Sequence, residues 1–271
     1  MVCEIGVSMK RYIEKLRRAT WSYKQPLTQM PLVLGAPVSD LFIWRNSDEW
    51  ETFFELTDLP ALFAGSDNPG CTVTLIFFDA RGRSFKEKIV EIQPLCRQTI
   101  PLSEIIGSAH GSAGTFSVFH THTPQALKAL GSNLTERGYV SYRYRGAPLR
   151  AYVHGNLDAI ARLPDKSLQL LGGQSIMCRE YSLQYAFMPL SSYELSIVNP
   201  TPKIQRIVCR TLSTNGKQID AQIADLLPRG SHLFSVSPEH TQQRIVMSSH
   251  LIMARPLVFR IQNQTMDVFH G

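Results

Sequence analysis

The chain has few charged residues for a folded protein and no long apolar run. Of its 271 residues, 18% are charged and 44% are hydrophobic. This composition excludes an intrinsically disordered chain, which needs low hydrophobicity and high charge. No stretch approaches the roughly 18 consecutive apolar residues of a transmembrane helix, and the N-terminus lacks the apolar segment of a secretory signal. The sequence therefore predicts a folded, cytoplasmic protein of about two domains.

Several motifs of common enzymes are also missing. There is no glycine-rich phosphate loop, no GxSxG nucleophile elbow, no HExxH and no EF-hand loop. The five cysteines form no CxxC pair and no cluster of zinc-finger spacing, so we interpret them as free thiols in a reducing compartment. These absences disfavour the commonest nucleotide-dependent and hydrolytic enzymes, and the sequence identifies no catalytic residue.

Positive charge is concentrated in the first 24 residues, which hold six basic residues and two acidic ones. Apolar residues recur at helical spacing from Met9 to Leu16, and Pro26 ends the pattern. We predict a basic amphipathic helix that packs on the following domain, or that attaches peripherally to an anionic membrane or an acidic protein. Nucleic acid is disfavoured as a partner, because the rest of the chain is nearly neutral. The residues expected at the membrane or partner contact are Lys10, Arg11, Lys15, Arg17, Arg18 and Trp21.

Short β-type runs replace helical periodicity beyond residue 37. Residues 72–90 have the pattern of a β-hairpin with its turn at Gly82. Residues 206–224 repeat that pattern at an offset of 134, with Gly216 at the turn. Two further pairs of blocks occur in the same order, 41–46 with 194–199 and 146–153 with 254–261. The echo indicates that one β unit occurs twice.

We therefore predict a mainly β fold with two tandem antiparallel β-sandwich domains, immunoglobulin-like or jelly-roll, after the N-terminal amphipathic helix. The predicted divisions are the helix and its linker at 1–36, the first sandwich at 37–160, a linker at 161–180 and the second sandwich at 181–271.

One histidine pair suggests a metal site. In Phe119-His120-Thr121-His122-Thr123 the two histidines stand at i and i+2, so on a strand they share a face. His154, or alternatively His110, can supply a third ligand. The pattern resembles the metal site of cupin-type and related jelly-roll oxygenases. The resemblance implies an alternative function, a metal-dependent oxygenase- or isomerase-like enzyme with one divalent transition metal. Otherwise these histidines are packed or solvated at a strand end, and no cofactor is expected.

A polar and aromatic segment favours ligand binding. The alternation in residues 139–145 places two tyrosines on one face and two arginines on the other, a combination suited to sugars or bases with acidic groups. Residues 154–158 add His, Asn and Asp at a strand end, where β-sandwiches carry ligands. The predicted ligand-binding residues are Tyr142, Tyr144, Arg143, Arg145, His154, Asn156 and Asp158.

The sequence thus favours a non-catalytic ligand- or partner-binding protein. The expected ligand is a glycan, a surface-polysaccharide precursor or another small polar molecule. The remaining alternative is a structural component of a larger assembly. A half-buried strand with a solvated basic face would show the same pattern as the tyrosine and arginine segment.

Overall fold

A computed structural model describes residues 26–64, 71–107, 111–121, 123–238, 241–252 and 255–271. The fold is mainly β, with 55% of residues in strands and 5% in helices. Within these ranges no helix has the length and apolar character that a membrane crossing requires. The predicted N-terminal helix, with its contact residues from Lys10 to Trp21, lies outside the described residues.

The first ten strands are β1 (Val38–Ser39), β2 (Phe42–Arg45), β3 (Trp50–Thr57), β4 (Cys71–Asp79), β5 (Ser84–Ile92), β6 (Arg97–Pro101), β7 (Ala113–His120), β8 (Thr135–Glu136), β9 (Tyr139–Tyr144) and β10 (Ala151–His154). The remaining strands are β11 (Ile160–Arg162), β12 (Leu168–Leu170), β13 (Gln174–Ser182), β14 (Ser192–Val198), β15 (Gln205–Ser213), β16 (Gln218–Leu226), β17 (Ser231–Val236), β18 (Gln243–Leu251), β19 (Leu257–Gln262) and β20 (Thr265–His270). Three short helices are α1 (Leu59–Ala64), α2 (Ser103–Ile106) and α3 (Gln125–Ala129).

The predicted fold of two tandem β-sandwich domains is wrong. The strands form five small four-stranded sheets, which in number and size correspond to the blades of a five-bladed β-propeller. The predicted linker, residues 161–180, contains the end of β11, all of β12 and most of β13. β11 and β12 join β1 and β8 in a sheet of their own, in which β1 and β8 are parallel. The sequence pattern locates strands and turns, but it does not say which strands share a sheet.

The connectivity differs from that of an ordinary propeller, whose blades are consecutive four-stranded units. Two sheets, ordered β2-β7-β4-β5 and β10-β9-β3-β6, take their strands alternately from the first half of the chain. Both line the largest hydrophobic core. Leu257, Phe259 and Val268 from β19 and β20 belong to the same core. The core therefore crosses the predicted boundary between the domains.

Four of the five sheets form two matching pairs. The order β2-β7-β4-β5 recurs as β13-β18-β15-β16, and β10-β9-β3-β6 recurs as β20-β19-β14-β17. β4 and β5, shifted by 134 residues, coincide with β15 and β16. Residues 42–45, however, are β2, which corresponds to β13 and not to the β14 block that the sequence echo paired with it. The offset of 134 thus relates equivalent strands. The other two pairs of blocks, 41–46 with 194–199 and 146–153 with 254–261, relate strands that are one position apart in the order of strands along the chain.

The turn between β4 and β5 contacts the second half of the chain. Gly82 has φ +76°, and a Cβ placed on it would lie 2.0 Å from the carbonyl oxygen of Pro228. The backbone N–H of Ser231 donates to the carbonyl of Ala80 at 3.0 Å. The equivalent Gly216 has φ +83°, but a Cβ there would have no atom within 4 Å. The first turn is therefore an internal contact, while the second is a free hairpin tip.

Candidate functional site

The outer face of the sheet β10-β9-β3-β6 carries aromatic and arginine side chains in rows across the strands. We call it the arginine–aromatic face and define it by Phe53, Tyr139, Tyr152, Arg97, Arg143 and Arg150. Phe53 pairs with Ser141 in register, and Ser141 pairs with Tyr152. Because side chains at directly paired positions point to the same side of a sheet, these three form one row. Tyr152 is 44% exposed, Phe53 is half-buried and Ser141 is buried, so Tyr152 is the part of this row that is open to solvent.

Two rows flank this aromatic row. On one side Glu51 pairs with Arg143. Ala151 pairs with Tyr142 on the antiparallel neighbour strand, so Arg150, the residue before Ala151, lies beside Arg143, the residue after Tyr142. On the other side Tyr139 pairs with both Glu55 and His154. The ring of Tyr139 meets that of His154 edge-on, with centroids 6.2 Å apart.

The two arginines lie over the aromatic row. The guanidinium carbon of Arg143 is 5.3 Å from the centroid of the Phe53 ring, and that of Arg150 is 4.7 Å from it. Arg150 is also 5.4 Å from the Tyr152 ring centroid. At these distances a guanidinium is attracted to the aromatic ring, which holds both groups at the surface of the sheet.

Charge on the face is unbalanced, with three arginines against two carboxylates. Arg143 donates from Nε to Glu51, and this hydrogen bond raises the pKa of Arg143 above its ordinary value. Arg97 and Arg150 share Glu55, at 3.3 and 3.4 Å. Glu55 is buried and also accepts a hydrogen bond from the Thr99 hydroxyl. The face therefore presents more hydrogen-bond donors than acceptors.

The structure reverses the faces expected for the predicted tyrosines and arginines. Tyr142 and Tyr144 point into the core, where they are 0% and 5% exposed, and the Tyr142 hydroxyl donates to the carbonyl of Ile43 at 2.9 Å. Burial raises the pKa of Tyr142 far above its ordinary value. The rings pack against Phe259 and Trp50, so they offer no open surface for a ligand to stack on. The alternation along β9 is as predicted, but it is the arginine side that faces outward.

The other predicted ligand-binding residues are dispersed. Arg145, at the turn after β9, pairs with Glu49. His154 lies beside the arginine–aromatic face, whereas Asp158 binds Arg137 at 2.6 Å. Asn156 bridges to the second half: its side chain donates to the carbonyl of Arg255 and bonds Nδ1 of His270. The structure thus brings only Arg143 and His154 to one surface.

Sequence reasoning missed most of the face. Phe53 stands next to Phe54 in a run that resembles core aromatics, although only Phe54 is fully buried. The alternation of Glu51, Phe53 and Glu55 along β3 is the signal that could have separated the two phenylalanines. Pairing of this strand with Arg143 and Tyr139 requires a register that no local pattern specifies.

Of the predicted histidine ligands, the structure describes His120 and His154. His120 is 2% exposed and forms a buried hydrogen bond of 2.8 Å with Glu136. His154 is on β10, in a different sheet from β7 and His120. His110 and His122 lie outside the described residues. Within the described ranges no three His, Cys, Asp or Glu side chains are placed to hold a metal ion. A metal site that includes His122 stays a prediction.

A cleft of about 410 Å³ is lined by residues from both halves of the chain. Arg45 lines this cleft and forms an ion pair with Glu194. Its guanidinium carbon is 3.5 Å from the ring centroid of Trp50 and 4.9 Å from that of Phe259. Burial lowers the pKa of Arg45, and Glu194 opposes that effect. Because its partners come from both halves, Arg45 acts as a link between them.

A smaller cavity of about 80 Å³ lies at the same seam, lined by Asp40, Asn156 and His270 among mainly apolar residues. Asp40 accepts backbone hydrogen bonds from Leu41 and Asn156 at 2.7 Å each. Burial nevertheless raises the pKa of Asp40 from 3.8 to about 6. The polar groups here mostly bind one another, which makes this cavity a weaker ligand site than the open face.

An NMR titration of the Asp40 carboxyl is expected to give a midpoint near pH 6. The folded chain binds this proton more tightly than the unfolded chain, so the contribution of Asp40 to the free energy of unfolding rises as pH falls from above 6 towards 3.8. Asp165 is the control, because hydrogen bonds from Ser167 hold its pKa below 3.8. A midpoint near 4 for Asp40 would contradict the burial argument.

No protein family model matches this chain, and no curated protein matches it significantly. The function is therefore inferred from the chemistry of the arginine–aromatic face.

Proposed function

We propose that the protein is a non-catalytic binding protein that recognises a glycan on the arginine–aromatic face. The observation that carries the proposal is a pair of exposed aromatic side chains, Tyr139 and Tyr152, which lie on the same side of adjacent strands as three arginines and are 51% and 44% exposed. Exposed aromatic rings supply flat apolar surface for the C–H face of a sugar, and such surface is costly to expose without a use.

The spacing of the two exposed tyrosines favours an oligosaccharide over a single sugar. Tyr139 and Tyr152 are diagonal neighbours on adjacent strands, which corresponds to about 7–8 Å. This distance is longer than one sugar ring, so the two aromatic residues would contact different residues of a glycan chain.

The surrounding polar groups suit sugar hydroxyls. Arg97, Arg143 and Arg150 supply donors, and Glu51 supplies an acceptor at the edge of the aromatic row. The proposed ligand is of the class predicted from the sequence, and two of the predicted residues, Arg143 and His154, lie on or beside the face. The stacking surface is on the opposite side of the sheet from Tyr142 and Tyr144.

The test is glycan-array binding of the full chain, followed by calorimetric titration of the best oligosaccharide. Tyr152→Ala is expected to weaken that affinity about tenfold, because it removes about 1.4 kcal/mol of aromatic contact. Arg143→Ala is expected to weaken it by a similar factor. Arg206→Ala is the matched control. Arg206 is an exposed arginine on β15, in another sheet, and it forms an ion pair with Asp225. Absence of any array signal, or affinity unchanged in Tyr152→Ala and Arg143→Ala, would overturn the proposal.

A further inference from the structure

We infer that the glycan is acidic, and that one of its anionic groups binds between Arg143 and Arg150 above the ring of Phe53. This inference rests on the proposed glycan-binding function and specifies its ligand class. It concerns a part of the face that the aromatic contacts alone do not explain, namely two cations held over one aromatic ring.

The two arginines repel each other, and Glu51 and Glu55 offset that repulsion only in part. They lie side by side on neighbouring strands, and like charges in that arrangement destabilise a sheet. Both are drawn to Phe53, which brings the two guanidinium groups onto the same ring. An anionic group bound between them would receive hydrogen bonds from both sides and would relieve the repulsion.

The carboxylates of the chain itself satisfy these arginines only in part. Glu51 binds Arg143 through Nε, which leaves the two terminal nitrogens of Arg143 for a ligand. Glu55 is 3.4 Å from Arg150 and 3.3 Å from Arg97, longer than the roughly 2.7–2.9 Å of a strong charge-assisted hydrogen bond. Arg150 therefore keeps most of its five N–H donors, and guanidinium groups match the planar geometry of a carboxylate.

The surroundings of this arginine pair favour a carboxylated or sulfated sugar over a small free anion. The pair lies one row from the Phe53–Ser141–Tyr152 row, so a sugar ring stacked on Tyr152 would place a ring substituent near Arg150. Single-stranded nucleic acid also combines flat rings with anionic groups, and it is included below as an outcome that would count against the inference.

The experiment compares acidic oligosaccharides with neutral ones of the same backbone. The full chain is titrated with oligogalacturonate and hyaluronan oligosaccharides and with the carboxyl-reduced form of each. We expect at least one acidic form to bind about tenfold or more tightly than its reduced form, as one charge-assisted pair would give. In Arg143→Gln and Arg150→Gln that ratio is expected to fall to about threefold or less, while Arg206→Gln keeps the wild-type ratio. Thermal melting of each variant checks that it is folded.

A second measurement tests the arginine pair without any sugar. In a spectrum of the arginine Nε–H groups, inorganic sulfate should shift the signals of Arg143 and Arg150 with one common affinity and leave Arg206 unchanged. Absence of this shift, together with equal affinity for acidic and reduced oligosaccharides, would overturn the acidic class and leave glycan binding intact. Failure of all oligosaccharides, including those on the array, would overturn both proposals. Tighter binding of oligo(dT) than of any acidic oligosaccharide, lost in Arg143→Gln, would assign the face to nucleic acid instead.

Discussion

Gly82→Ala is expected to lower the free energy of unfolding by about 4 kcal/mol, and Gly216→Ala by only about 1 kcal/mol. Both glycines occupy the left-handed backbone region, at φ +76° and +83°, so alanine is strained at either position by a similar amount. The two differ in what a Cβ would meet. At Gly82 it would overlap the carbonyl oxygen of Pro228, whereas at Gly216 it would have open space.

The comparison measures the contact between the two halves, because backbone strain is common to both substitutions. Chemical denaturation of the two variants and the wild type gives the three free energies directly. The overlap is with backbone, which cannot move away as a flexible side chain would, so the β4–β5 turn must shift away from the segment around Pro228 and Gly230. Equal losses for the two alanines would show that the turn is not a firm contact.

His120→Ala is expected to cost about 3–5 kcal/mol of stability whether or not the protein binds a metal. The side chains of His120 and Glu136 are 1% and 2% exposed, so removal of the imidazole leaves a carboxylate buried without its partner. Glu136 also accepts a hydrogen bond from the backbone N–H of Gly138 at 2.6 Å, which fixes it in place.

The control is Arg206→Ala, which breaks the exposed pair with Asp225 and is expected to cost less than about 1 kcal/mol. The double variant His120→Ala/Glu136→Ala should recover part of the loss, since it removes the isolated carboxylate as well. Chemical denaturation of the three variants measures the loss of stability in each. A loss below 1 kcal/mol in His120→Ala would mean that the pair contributes little and that His120 is available for another role.

The local structure of this chain can be predicted from its sequence further than its global arrangement can. The hairpins around Gly82 and Gly216 are present where turn residues and alternation place them, because both signals are local. The alternation on β9 is also correct. Alternation does not indicate which side of the strand is buried, because tyrosine and arginine each have an apolar body and a polar end.

Tyr142 shows why the candidate site was assigned to the wrong side of the strand. Its hydroxyl is satisfied by the carbonyl of Ile43, which is distant in sequence, so a polar group that suggests a surface position fits inside the core. Arg143 is held outside by Glu51 and Phe53, which belong to β3. Both partners are set by sheet register, and register depends on contacts between residues far apart in the chain.

The shared core has a consequence for how this chain is made. Phe259 packs against Trp50 and Tyr142, with ring centroids 5.3 and 4.9 Å apart, yet it is synthesised long after them. A nascent chain that has emerged from the ribosome only as far as β10 lacks the side chains that complete its largest core, and it exposes apolar strands in the meantime. The largest core of the first half is therefore incomplete until β19 has been synthesised.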